Sequence, residues 1–280
     1  VLELSSYQID LTQSLDCDVA VLLNITPDHL DRYESFEAYE ASKGRLFQMQ
    51  SANNVAVIAL GVGTNTARIA GTAKARRLVG FPTDDFTDPW WPVLHDLPEG
   101  SQKHWPSLPG PHNAENAAAA IEVCRALGLL LPQITYGLGT YPGLPHRMER
   151  IREKDGVLFV NDSKATNAEA AAPALAAYPK VRWIVGGQAK SDSLGDTAAQ
   201  LDHVVKAYTI GEAGPMFARL LRDKGVAVEE CETLEIATKR AAEDSQSGEV
   251  VLLSPASASF DQFKDFEARG DRFRELVEGL

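Results

Sequence analysis

Short apolar runs alternate with stretches of helical spacing along most of the chain. Val19-Ala-Val-Leu-Leu23 and Val55-Ala-Val-Ile-Ala59 are compact and rich in β-branched residues, the pattern of buried parallel strands. Val1-Leu-Glu-Leu-Ser5 reads as a further buried strand with one embedded carboxylate, which suggests a fragment lacking an N-terminal portion. Between the first two runs, Phe36, Tyr39, Leu46 and Phe47 recur at helical spacing over Phe36 to Gln48. Asn113 to Leu127 is alanine-rich and predicts a helix with Asn113 as N-cap and Gly128 as the stop. The segment from Phe81 to Gly110 carries six prolines and three tryptophans, and predicts loops and edge strands.

Tyr141-Pro-Gly-Leu-Pro145 breaks the pattern and marks a boundary. Beyond it, strands are expected at Gly156–Val160, Val181–Val185, Ala207–Ile210, Val226–Val228 and Val250–Leu253. Helices are expected at Asn167–Ala177, Pro215–Lys224, Leu234–Ala242 and Phe263–Leu280. Repeated β-α alternation predicts an α/β fold with parallel, doubly wound sheets.

Composition narrows the functions available. With 27 Lys and Arg against 39 Asp and Glu, the net charge is −12, unfavourable for general binding of nucleic acid or anionic lipid. No apolar run reaches the roughly 20 residues of a membrane span. Cys17, Cys124 and Cys231 are far apart, which fits a reducing compartment and neither a zinc site nor a disulfide framework.

Four segments place polar residues at the ends of apolar runs, where open α/β sheets bind ligands. Asp28, His29 and Asp31 follow a strand; with Glu3 they form either a divalent-cation site or an Asp-rich turn capping a helix. Lys43 lies midway along a helix, where a lysine is ordinarily solvated. In Pro109-Gly-Pro-His-Asn113-Ala-Glu-Asn116 the two amides share a helix face, suited to capping or to an adenine edge. Most specific is Asn161-Asp-Ser-Lys164-Ala-Thr166-Asn167 between a strand and a helix. A lysine at a helix N-terminus is electrostatically disfavoured, and a bound phosphate or carboxylate would resolve the conflict. Gly186-Gly-Gln-Ala-Lys190-Ser191 is not a P-loop, because Ala189 precedes the lysine, and the chain contains no Gly-Lys dipeptide.

Together these segments, with Leu144-Pro-His-Arg147 and Leu252-Leu-Ser-Pro-Ala-Ser-Ala-Ser-Phe-Asp-Gln-Phe263, Phe266, Arg269 and Gly270, resemble the Mur ligase family in family order. The Asn-Asp-Ser-Lys-Ala-Thr-Asn and Ser-Pro-Ala blocks resemble its D-glutamate-adding branch. The resemblance implies residues 1–143 as a P-loop-type ATPase central domain with a mostly parallel sheet, truncated before residue 1 and past its P-loop. Residues 144–280 would be a Rossmann-like domain for the incoming amino acid. It further implies an ATP-dependent amide ligase that joins D-glutamate to UDP-N-acetylmuramoyl-L-alanine through an acyl phosphate. This is a step of cytoplasmic peptidoglycan-precursor synthesis by a monomer.

By the same resemblance, Glu3, His29 and Lys43 attend two magnesium ions, Lys43 as a carbamate. Catalytic roles fall to Lys43, His29 and Lys164. Asn113, Asn116, Arg147 and Asp162 contact ATP, the last at the ribose, and Thr166, Lys190, Ser259, Phe260 and Phe266 receive D-glutamate. Family members often carry Leu where Phe260 stands, and the larger ring would narrow the pocket. Two other readings are a folylpolyglutamate synthase-like ligase and a non-catalytic module binding adenine or D-glutamate. The Ser-Pro-Ala block speaks against the former, and the missing P-loop favours the latter for the isolated chain.

Overall fold

The structure is a computed structural model that describes residues 1–25, 32–59, 66–75, 77–81 and 101–280. Most of the proline-rich segment and the Asp28, His29 and Asp31 turn lie outside the described residues. The chain forms two compact units. One comprises Val1–His104 and Asn113–Thr140, the other Trp105–His112 and Tyr141–Leu280.

In the first unit the order is α1 (Ser6–Leu11), β1 (Val19–Leu22), α2 (Phe36–Met49), β2 (Val55–Ala59), α3 (Ala67–Thr72), β3 (Arg77–Phe81), α4 (Pro111–Ala126) and α5 (Leu131–Thr140). The strands form a parallel sheet in the order β1-β2-β3, and every residue of the central β2 is buried. Tyr39 and Phe47 of α2 and Ile69 of α3 pack with Ala56 and Ile58. The apolar spacing of Phe36 to Gln48 therefore did mark the core face of a helix.

Two expectations fail here. Val1–Ser5 is not a strand. It is irregular and solvent-exposed over Val1 and Leu2, and Ser5 instead caps α1 in a reciprocal box with Gln8. Asn113 is not an N-cap either, because α4 begins at Pro111, whose ring presets the helical φ. Gly128 stops α4 as expected, in the left-handed region at φ +84, with Leu129 N–H bonding Cys124 O and Gly128 N–H bonding Arg125 O. Helix α5 was missed; Pro132, two glycines and two threonines disguise it, and burial of Ile134 supplies what propensity lacks.

The second unit contains β4 (Glu149–Lys154), β5 (Val157–Asn161), α6 (Ala168–Ala176), β6 (Val181–Gly186), a 3-10 segment (Gly195–His203), β7 (Val204–Ile210), α7 (Gly214–Asp223), β8 (Val228–Glu232), α8 (Leu234–Asp244), β9 (Val250–Leu253) and α9 (Phe266–Glu278). Its sheet runs β4-β5-β9-β6-β7-β8, parallel except for β4, which pairs antiparallel with β5. Leu175 of α6 and Phe217 and Leu221 of α7 join the core on one face. Leu234 of α8 and Phe273 and Val277 of α9 join that on the other. This is the doubly wound arrangement that the alternation predicted.

Two element starts moved by two or three residues, and one strand was missed. Strand β8 begins at Val228 because Val226 N–H still caps α7 at Leu221 O, beyond Gly225 at φ +81. Helix α9 begins only at Phe266, with Asp265 accepting from Ala268 N–H as its cap. Strand β4 was missed because Glu-Arg-Ile-Arg-Glu-Lys reads as polar, and an edge strand carries such charge.

Candidate functional site

Adjacent strands β5 and β9 lead to helices on opposite faces of the second unit's sheet. Their carboxyl ends therefore open a switch point, the usual ligand crevice of an open α/β sheet. The block that follows β5 divides there into two halves with different duties.

Asn161, Asp162 and Ser163 turn inward. Asn161, wholly buried, directs its amide to His146 Nδ1 at 3.1 Å, Glu149 Oε2 at 3.0 Å and Gly270 O at 3.2 Å. Ser163 Oγ donates to Phe266 O at 2.8 Å and accepts from Arg269 Nε at 2.9 Å. Asp162, 5% exposed, accepts from Met148 N–H at 3.1 Å and from Ser254 Oγ at 2.8 Å. Burial pushes its carboxyl up to about 7, against the opposing pull of those two hydrogen bonds and of the Arg147 charge.

Lys164 and Thr166 turn outward. Lys164 is exposed, with its ammonium 5.6 Å from the Phe266 ring centroid, a cation–π contact, and no carboxylate pairs with it among the described residues. Thr166 is half-buried. The turn thus holds itself together with its first three side chains and offers the later ones to solvent.

Arg147 is presented in a similar way. It is exposed between His146 at φ +60 and Met148 at φ +48, two buried non-glycine residues in the left-handed region. Each such residue costs roughly 1–3 kcal/mol and persists only where its surroundings impose it. Here Lys164 N–H bonds His146 O, His146 N–H bonds Glu149 Oε2, and His146 meets Phe266 edge-on at 6.1 Å. Gly270 completes the packing, since a Cβ there would lie 2.2 Å from His146 Nδ1. Sequence reading missed His146, Arg269 and Gly270 as structural keystones, although all three stood inside the motifs that carry the resemblance.

On the far side of the switch point, Gln188 and Ala258 exchange backbone hydrogen bonds of 2.9 and 3.0 Å. That bridge brings the β6 loop with Lys190 beside the β9 loop with Ser259 and Phe260. Lys190 is exposed, Ser259 is 2% exposed, and Phe260 is 68% exposed. Phe266 is half-buried. Gly186 and Gly187 make this approach possible: a Cβ on Gly187 would sit 2.3 Å from Ala258 O.

His112, also in this unit, has its Nδ1 buried without a partner among the described residues. Burial, then the charge of Arg147, pulls the imidazole down to about 4, so it is neutral at pH 7.

In the first unit, Asn113 and Asn116 share a face of α4, with Asn116 Nδ2 3.5 Å from Asn113 Oδ1. Ser42 and Arg45 fasten α2 to the α1 segment through the Asp10 carboxylate and the Asp10 and Thr12 carbonyls. Lys43 between them is half-buried, its ammonium 5.6 Å from the Tyr39 ring centroid. Glu3 is exposed in the irregular leader, and His29 lies outside the described residues. The described residues contain no group of three His, Cys, Asp or Glu side chains able to hold a metal.

Residues 1–124 match the Mur ligase middle domain, and residues 146–257 match the Mur ligase glutamate ligase domain. The chain belongs to the Mur ligase family. A UDP-N-acetylmuramoylalanine–D-glutamate ligase of Novosphingobium aromaticivorans is 55% identical over all 280 residues, and that of Zymomonas mobilis is 51% identical over the same length. The chain spans 61% and 60% of those two relatives.

Among solved structures, the fold is similar to a UDP-N-acetylmuramate-alanine ligase of Thermotoga maritima. The TM-score is 0.66 at 15% identity, over 98% of this chain and 62% of that one. An E. coli FolC solved with ADP gives a TM-score of 0.60 at 23% identity, over 95% of this chain and 62% of that one. These two establish the fold of a Mur ligase and nothing finer. Among the described residues, no helix is long and apolar enough to cross a membrane.

Proposed function

We propose that this chain is the ATP-handling and amino-acid-binding portion of a ligase that joins D-glutamate to UDP-N-acetylmuramoyl-L-alanine in cytoplasmic peptidoglycan-precursor synthesis. The observation that carries the reading is the 55% identity, unbroken over the whole chain, to a relative bearing that name. The folylpolyglutamate synthase-like alternative is not favoured, because its representatives share only the fold at 23% identity.

When bound, ATP and magnesium supply the phosphoryl group and the charge neutralisation for activating the alanine carboxylate. The residues present suit an anionic ligand: Arg147 is an exposed guanidinium on a strained turn, and Lys164 lies one turn of chain from the buried Asp162. In the second unit, Arg147 would hold phosphate oxygens and Lys164 and Thr166 would face the reacting carboxyl. Asp162 would contact the ribose with acceptor capacity left over from its bonds to Met148 N–H and Ser254 Oγ. Lys190 would pair with a D-glutamate carboxylate, Ser259 would donate to it, and Phe260 and Phe266 would wall the site. In the first unit, Asn113 and Asn116 would meet the nucleotide, Asn116 at the adenine. Glu3, His29 and Lys43, the last as a carbamate, would hold the metal ions.

Phosphate release from ATP tests the proposal. The full-length parent protein is expected to release phosphate only when UDP-N-acetylmuramoyl-L-alanine and D-glutamate are both present. The 280-residue chain alone, which has no Gly-Lys of a P-loop, should release none above a boiled control. Release by the parent that ignores D-glutamate would refute the assignment.

Lys190→Ala separates the amino-acid role from a phosphate role. A charge-assisted hydrogen bond is worth roughly 1.5–3 kcal/mol, so the KM for D-glutamate in the parent should rise about 10-fold or more. The KM for ATP should move much less. Equal losses on both substrates would make Lys190 a phosphate ligand of its glycine-containing turn.

A further inference from the structure

The loop between β9 and α9 carries Ser259 and Phe260, and its first half is fixed from below. Gly186 N–H bonds Pro255 O, Arg269 donates to Ser257 O at 3.0 Å and Ala258 O at 3.3 Å, and Gln188 bridges Ala258. Beyond Ser259 the chain turns over on itself, with Gln262 N–H and Phe263 N–H both bonding Ser259 O. That turn reaches neighbouring loops through two side chains. Asp261 Oδ2 accepts from Glu212 N–H at 2.9 Å, and Gln262 Nε2 donates to Glu232 O at 2.8 Å.

The turn ahead of α7 is shaped for the Asp261 carboxylate. Gly211 sits there at φ +69, where a side chain would be strained. An added Cβ would lie 2.2 Å from Asp261 Oδ2 and 2.8 Å from Gly187 Cα, so only glycine leaves the carboxylate its seat. The start of α7 also favours an anion. Asp261 is in addition the carboxylate whose charge acts on the buried Arg269 guanidinium. One side chain therefore links two loops at the carboxyl edge of the sheet, those after β7 and β9.

We propose that Asp261 is a positioning residue of the amino-acid site: its carboxylate latches the β9–α9 loop to the turn before α7 and so holds Ser259 and Phe260 in place for the incoming D-amino acid. The proposal rests on the ligase reading above. It deepens that reading, because a latched Asp261 fills the anion seat ahead of α7. The substrate carboxylates are thereby left to Lys190 and Ser259, and Phe260 stays exposed as a wall of fixed position.

Two measurements test the latch. In the 280-residue chain, Asp261→Ala should speed amide exchange at Gln262 and Phe263 by at least about 10-fold, the equivalent of about 1.4 kcal/mol of lost local protection, while β6 and β9 stay unchanged. Gly211→Ala, which evicts the carboxylate from the other side, should also speed exchange at Gln262 and Phe263, with the end of β6 beside Gly187 disturbed as well. In the parent enzyme, Asp261→Ala should raise the KM for D-glutamate about 10-fold, with kcat and the KM for ATP within about twofold. Asp261→Asn, which keeps an acceptor for Glu212 N–H, should recover most of that loss. Unchanged exchange at Gln262 and Phe263 overturns the latch. So does a uniform loss for both substrates together with a lower melting temperature, which would mark general destabilisation. A parent that shows no dependence on D-glutamate would sink the ligase reading instead, and the exchange experiment would still decide the latch.

Discussion

Asp162→Asn is expected to make the 280-residue chain more stable than the unsubstituted chain at pH 8, by a margin that shrinks on acidification and vanishes only below about pH 4. The carboxyl of Asp162 titrates near 7 when folded and near its ordinary 3.8 when unfolded. The folded state therefore retains a proton that the unfolded state has already lost. Stability from this group is fully present below about pH 4 and is lost as pH rises through 7. A shift of about three pKa units corresponds to about 4 kcal/mol at most. Burial dominates because Asp162 is 5% exposed, whereas Arg147, the cation acting on it, is exposed and screened. Asparagine keeps an acceptor for Met148 N–H and gains a donor toward Ser254 Oγ, so shape and hydrogen bonds survive while the charge is gone. Melting curves of both proteins from pH 5 to 8 measure the difference. A constant offset across that range would show that Asp162 is ionised throughout.

Glu249→Ala is expected to destabilise the chain by about 3–5 kcal/mol, the usual cost of stranding one member of a buried ion pair. Glu249 Oε2 lies 2.6 Å from Arg182 Nε, with the two side chains 8% and 9% exposed. The same carboxylate oxygen also accepts from Gln246 N–H at 3.0 Å. Arg182 in turn reaches Tyr208 OH at 3.1 Å, and that hydroxyl donates to Asp244 at 2.7 Å, which also receives Lys206. Loss of Glu249 thus leaves the guanidinium in the sheet with, among the described residues, only the longer Asp244 carboxylate contact at 4.0 Å, which it shares with Lys206. For a domain of this size the melting temperature should fall by roughly 10 °C. Burial raises the Glu249 carboxyl, but Arg182 and Gln246 more than offset it and hold it below its ordinary 4.5. Its contribution is therefore present above about pH 4.5 and disappears on acidification, the opposite direction to Asp162. Denaturant titration at pH 7 checks the magnitude. Replacing Arg182 and Glu249 together by apolar residues of similar volume should recover much of the loss, because no charge is then stranded.

The two groups illustrate what could be read in advance. Asp162 was singled out because a carboxylate, an ammonium and several hydrogen-bonding side chains crowd one β-α turn. That crowding gave the place but not the partners: Asp162 is engaged by Met148 and Ser254, residues 14 and 92 positions away in the chain. Arg182 and Glu249 drew no notice, since neither belongs to a motif and their pairing spans 67 positions.

The sequence by itself determined the strands and helices whose hydrophobic period is strong, the stop at Gly128, and the order of the site segments. Period and turn chemistry are local properties, and each is written in residues a few positions apart. Only the tertiary structure decided which polar residues serve the fold and which face outward. It turned Asn161, Asp162 and Ser163 into staples, left Lys164, Arg147 and Lys190 exposed, and set Asp261 against Gly211. It also made β4 a strand despite its charges, because an edge position tolerates them, and gave Val1–Ser5 no sheet partner among the described residues. A buried polar side chain must find its hydrogen-bond partners wherever packing brings them. Those partners are distant in sequence, so the assignment of roles waited for the fold.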